Sequence, residues 1–140
     1  MPRRFVHLLQ ALAIFATVTA PARAHHSAAN YDLSTEVTVS GTVVEWIWQN
    51  PHCILRFDAK DDSGATRSWT GEVQNPTAMT ARDWARRSFN GGDAVTVSLH
   101  PERTGAPIGL ITKVVLPNGK TLEADPNGIA AAVARPVRSN

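Results

Sequence analysis

At 140 residues and 43% apolar content, the chain is the size of one globular domain with a core of its own. No stretch is long and apolar enough to span a bilayer, and 14 Lys+Arg against 12 Asp+Glu is too even a balance to draw in nucleic acid. The one cysteine, Cys53, excludes an intramolecular disulfide, so burial must hold the fold.

The first 24 residues are of a different kind. Arg3 and Arg4 precede an apolar run over residues 5–20, and Ala22-Arg23-Ala24 supplies a small-x-small cleavage pattern, so residues 1–24 read as a secretory signal peptide. Cleavage after Ala24 removes Arg3, Arg4 and Arg23. The mature 116 residues then carry 11 Lys+Arg against 12 Asp+Glu and begin His25-His26-Ser27. This predicts a periplasmic protein with no membrane span once the signal is gone.

Residues 25–35 show no periodicity, only small and polar side chains with Tyr31, and read as an extended arm. Alternation starts at Glu36 and runs to Trp48. Val37, Val39, Val43 and Ile47 fall on one face, and Thr38, Ser40, Thr42, Val44, Trp46 and Trp48 on the other. Gly41 interrupts the strand, which predicts a bend or bulge there that lets one strand serve both halves of a small barrel. Gln49-Asn50-Pro51 is the following corner, since Pro51 fixes its own φ and holds Asn50 out of the helical region. A second strand, 52–58, puts Cys53, Leu55 and Phe57 on one face and His52, Ile54 and Arg56 on the other. Asp61-Asp62-Ser63-Gly64 turns the chain into a third strand, 66–73, with Trp69 on its inward face.

The period then becomes helical. Asn75-Pro76 supplies a cap followed by proline at the first helical position, Thr80 to Asp83 repeats a capping-box spacing, and Asn90-Gly91-Gly92 stops the helix. Met79, Trp84 and Ala85 would face the barrel and Arg82, Arg86 and Arg87 the solvent. A fourth strand, 93–100, turns Val95, Val97 and Leu99 inward. Residues 101–107 form a polar loop, residues 108–116 a fifth strand, and residues 120–123 a short sixth. Residues 124–140 lack a core pattern and read as a poorly ordered tail with at most a helical turn at 129–134. The order predicts a mainly β fold, an OB-fold-like barrel of five to six strands over residues 36–123 with one helix between strands three and four.

The chemistry rests on four histidines, His25, His26, His52 and His100. In an OB-like barrel His52 closes the first ligand-side loop and His100 opens the second, both on the outward parity of their strands, which would make them neighbours. Cleavage after Ala24 frees an α-amine on His25. Amine and imidazole nitrogens favour Cu(II), so the four histidines make a candidate copper site in a carrier or sensor. The alternative for His25 and His26 is a polar arm that binds metal adventitiously. Zinc is a weaker variant, because no carboxylate or second cysteine stands at ligand spacing. Cys53, inward by parity, reads as a buried inert thiol.

Trp46, Trp48 and Asn50 mark a second candidate surface, a metal-free module holding a glycan, peptide or protein at the first loop. Against it, a strand that swaps faces would make both tryptophans core. No catalytic residue is assigned: the serines lack an adjacent base, and no phosphate loop or paired-carboxylate motif appears. A copper oxidase acting on polysaccharide would need a flat aromatic surface around the site, which the sequence does not provide.

The junction Ala24-His25-His26-Ser27, Gly41-Thr42-Val43, the run Trp48-x-Asn50-Pro51-His52, the Asn75-Pro76 helix start with Trp84, and Gly92-Asp93-x-Val95-x-Val97 together resemble a family of small exported bacterial proteins, known as a domain of unknown function. The resemblance covers residues 24–122. It implies a small β-barrel exported by a Gram-negative bacterium, and it implies no activity. This chain has Ala28 where members of that family often carry an aromatic.

Overall fold

Alternating apolar residues at period two are what a half-buried sheet requires, and the chain uses them to close a ring. The computed structural model describes residues 28–133. Its strands are β1 (Val37–Ile47), β2 (Cys53–Lys60), β3 (Thr66–Val73), β4 (Ala94–Pro101), β5 (Ile108–Val115) and β6 (Thr121–Glu123), with helix α1 (Pro76–Thr80) after β3 and α2 (Pro126–Val133) after β6. β1 is long enough to pair twice. Its first half runs antiparallel to β4 and its second half antiparallel to β2, with Gly41 and Thr42 shared by both. β2 pairs with β3 and β4 with β5, and a short parallel pairing of residues 70–72 with 108–110 joins β3 to β5. The ring is therefore β1-β2-β3-β5-β4, with β6 added outside on the edge of β5. This is the OB-like barrel expected from the element order.

The core is filled by the inward faces of these strands. Leu55, Phe57, Val97, Leu99, Ile111 and Val114 are buried in the barrel, and Trp84 and Met79 seal one end. Closed packing of this kind leaves no space for misplaced atoms. An added Cβ at Gly41 would lie 2.5 Å from the Asp58 carbonyl oxygen and 2.9 Å from the Phe57 ring.

Three features depart from the expected pattern. The irregularity in β1 is not at Gly41: the pairing with β2 slips between Val43 and Glu45, leaving Val44 as the extra residue, 56% exposed. A bulge reverses parity. Ahead of it Val43 faces inward, and beyond it Trp46 and Trp48 turn onto the core. The helix is also shorter than its spacing suggests. The Asn75 side chain caps it by accepting from the Ala78 amide, as expected, but α1 ends at Thr80, whose hydroxyl bonds back to the Pro76 carbonyl. Asp83 then takes φ of 65°, and the following turns drop Trp84 and Phe89 into the end of the barrel while Ala85 stays exposed. Packing of these two aromatics overrides the local helical pattern. Finally, the segment after Asp125 does carry a core residue. Ile129 of α2 packs with Tyr31 and Leu110 in a small cluster outside the barrel wall.

Candidate functional site

One row of residues crosses the outside of the wall. His100 of β4 pairs with Leu110 of β5, Leu110 with Glu72 of β3, and Glu72 with Ile54 of β2. Paired residues share a face, as do residues two apart on one strand, so His52, just ahead of β2, lies on the same outer surface as Ile54. The inner surface at this level belongs to Leu55, Gly71, Leu99 and Ile111, all buried.

The two histidines expected to be neighbours sit toward opposite ends of this row, with β5 and β3 between their strands. At about 4.8 Å per strand spacing, they are too far apart to share a metal directly. His100 is engaged elsewhere: its Nδ1 lies 2.7 Å from the Thr35 carbonyl, which can only accept, so Nδ1 carries the proton. His52 instead turns Nδ1 toward Oε2 of Glu72, at 3.8 Å. That is ion-pair range and too long for a hydrogen bond. Both side chains are mostly covered, 24% exposed for His52 and 16% for Glu72.

The third member of this cluster comes from the arm. The arm is not extended throughout: Ala28–Asn30 form a 3-10 helix, and Tyr31 then makes a single β-bridge to Glu102 at the end of β4, flanked by Asp32 N–H donating to the Pro101 carbonyl and Arg103 N–H to the Asn30 carbonyl. Asp32 locks the turn that follows. Its carboxylate accepts from the hydroxyl of Ser34, the hydroxyl of Thr35 and the Ser34 amide, which hold its pKa down at about 2. With the backbone held this way, the Tyr31 ring lies over Leu110 and is only 1% exposed. Its hydroxyl is buried with no hydrogen-bond partner among the described residues, although the Glu72 carboxylate is close enough to act on it. Burial first, then the Glu72 charge, push the Tyr31 phenol well above its ordinary pKa.

Imidazole, carboxylate and phenol thus meet at Glu72, with the His52 contact too long for a hydrogen bond and the Tyr31 phenol close enough for the carboxylate to act on it. Among the described residues no three of His, Cys, Asp and Glu gather in a way that would hold a metal, so any such site needs donors of another kind or from another segment. His25 and His26 lie outside the described residues. Sequence reasoning placed Glu72 on the outward face of its strand without singling it out, and it named Tyr31 only as part of the arm. The available signal was a lone tyrosine among small polar residues.

The tryptophan surface has a different character. Trp46 and Trp48 are half-buried, their ring centres 5.7 Å apart, and Trp46 also packs on Trp84 and Phe89. The Trp46 indole N–H donates to the Ala85 carbonyl. Asn50 is exposed at the corner, where the Asn50–Pro51 peptide bond is cis. Cys53 is fully buried, and burial pushes its thiol pKa up. Among the described residues no helix is long and apolar enough to cross a membrane.

Comparison with curated proteins finds no match. Among solved structures the chain is similar to Rim1, the mitochondrial single-stranded DNA binding protein of S. cerevisiae, at 11% identity and a TM-score of 0.43, over 65% of this chain and 97% of that one. A family model described as a family of unknown function matches residues 13–112, most of the sequence. The chain belongs to that family, DUF6152.

Proposed function

We propose that this is an exported periplasmic protein that binds copper as a carrier or sensor, using His52 together with His25 and His26 at the mature N-terminus. The observation that carries the reading is the meeting of Tyr31 and His52 at one carboxylate, Glu72. Tyr31 pins the arm there, and His26 precedes it by five residues in the sequence. An amine and three imidazoles form a nitrogen-rich set, which suits Cu(II), the tightest-bound of the divalent first-row ions. His100, with β5 and β3 between its strand and that of His52, leaves the donor set.

A metal-free module built on Trp46, Trp48 and Asn50 has less support. The Trp46 N–H is already bonded, and both rings pack against the core.

Cu(II) titration with EPR, on protein processed in a periplasm, tests the reading. His52→Ala is expected to weaken binding by roughly tenfold or more, and His100→Ala to leave it unchanged. A copy with one extra residue ahead of His25 should bind more weakly and show fewer coordinated nitrogens in the hyperfine pattern, because the amine no longer sits on His25. Equal affinity in wild type and His52→Ala would reject the site.

A further inference from the structure

β1 serves two partners, and where it leaves one for the other a gap opens. Its pairing with β2 stops at Gly41 and Ala59, while residues 37–40 continue beside β4. Lys60, the last residue of β2, lies one beyond the last β1 partner. Between Thr38 and Ser40 on one side and the β2–β3 turn on the other is a cleft of about 320 Å³, with Trp69 of β3 in its lining. Small-molecule sites run from roughly 300 to 1,000 Å³. A second hollow along Thr42, Asp58 and Thr66 shares Ser40 and Lys60 with the first, so the two run on as one groove.

The gap presents main chain as well as side chains. In an antiparallel strand the N–H and C=O of one residue point to the same side, and those of the next residue to the other. Val43 gives both of its groups to Gly92 and Asp93, on the side of β4. Thr38, an odd number of residues away in unbroken register with β4, turns both of its groups toward the gap. The groove also carries an aromatic ring and both kinds of polar group. Trp69 is half-buried and stacked on Phe57, with ring centres 6.3 Å apart and planes at 13°. Arg67 sits 5.7 Å from the Trp69 ring centre, and its Nη2 donates to the Gly105 carbonyl at 2.6 Å. Lys60 Nζ donates to the Thr66 hydroxyl at 2.7 Å. Each cation keeps further donors for a ligand, and Asp58, Asp61 and Asp62 supply acceptors. Two cations against three carboxylates leave no field that gathers an anion.

We propose that this groove binds a neutral saccharide chain, with one sugar ring laid on Trp69 and the next running along Lys60 and Asp58. A sugar has an apolar C–H face to bury on the indole and hydroxyls that both donate and accept, which matches a ring surrounded by cations, carboxylates and free main chain. The site lies at the end of β2 away from His52, and it does not depend on the copper reading.

The test is an NMR titration of the full mature chain with neutral trisaccharides, cellotriose, maltotriose and chitotriose, and with an oligothymidylate beside them. At least one trisaccharide should saturably shift the Trp69 indole N–H and the amides of Thr38, Ser40 and Lys60, and leave those of His52 and Glu72 in place. Lys60→Ala, on an exposed side chain, should weaken that binding roughly three- to tenfold. Trp69→Leu should weaken it roughly tenfold or more; it also loses packing on Phe57, so Lys60→Ala decides the matter if that variant does not fold. No saturable shift with any trisaccharide at millimolar concentration, or wild-type affinity in Lys60→Ala, overturns the proposal. Tighter binding of the oligothymidylate, falling with added salt, overturns it as well, because the groove would then be a phosphate-binding surface.

Discussion

At Gly41 the backbones of β1 and β2 approach so closely that a single carbon has no place, and the nearest atom is a backbone carbonyl that cannot turn aside. Gly41→Ala is therefore expected to cost about 1–3 kcal/mol in chemical denaturation, the range for forcing an extra carbon into packed structure. Gly91→Ala serves as the control, since its added carbon would meet only an ordinary contact 3.6 Å from the Val44 carbonyl and should change stability little. His52 was legible from sequence because a corner and a strand parity are local properties. Tyr31 and Glu72 were not, because what makes them notable is each other, and they lie on segments joined only by the fold.

At the scale of elements, the turn between β2 and β3 is braced by the side chain of Asp61. Asp61 accepts from the Ser63 hydroxyl, the Ser63 amide and the Ala65 amide, and these bonds, the hydroxyl foremost, lower its pKa below the usual carboxylate value. A carboxylate whose pKa is lowered by folding stabilises the folded state above its unfolded pKa, about 3.9, and that contribution is lost as pH falls through the lower folded value. Ser63→Ala should move the Asp61 pKa back toward the ordinary range in an NMR titration, while the pKa of Asp32, held by its own hydroxyls, stays unchanged. β1 makes a related point about elements. Its alternation predicted a strand of nearly the right length, but the bulge at Val44 is a property of the β1–β2 pairing, not of β1. α1 likewise begins where its cap says and ends where Trp84 and Phe89 are needed by the barrel.

Taken whole, the molecule is a closed ring with a covered patch on its outer wall. Closure buries Cys53 completely as a member of the main cluster. Access to it requires the barrel to open, so a thiol reagent should label Cys53 at the rate of global unfolding and not in the native state. Labelling rates followed across denaturant concentration, beside unfolding rates from Trp fluorescence, check this; fast labelling of native protein would mean that the corner at residues 49–51 opens locally. The outer patch of Leu110, Tyr31 and Ile129 joins the two ends of the described chain on one face, so the arm and α2 are held by the same contacts.

The sequence by itself determined the barrel: six strands in order, the corner at residues 49–51, the cap at Asn75 and the inward sets on β2, β3 and β4, because period-two alternation and turn chemistry act over a few residues. Only the tertiary structure decided where β1 changes faces, how soon α1 stops, that residues 126–133 form a helix with a buried Ile129, and that His52 meets Glu72 and Tyr31 instead of His100. The physical reason is common to all four. Each depends on contacts between separate segments, the meeting at Glu72 also on the β3–β5 pairing that closes the ring, and such contacts assign neighbours that local periodicity does not encode.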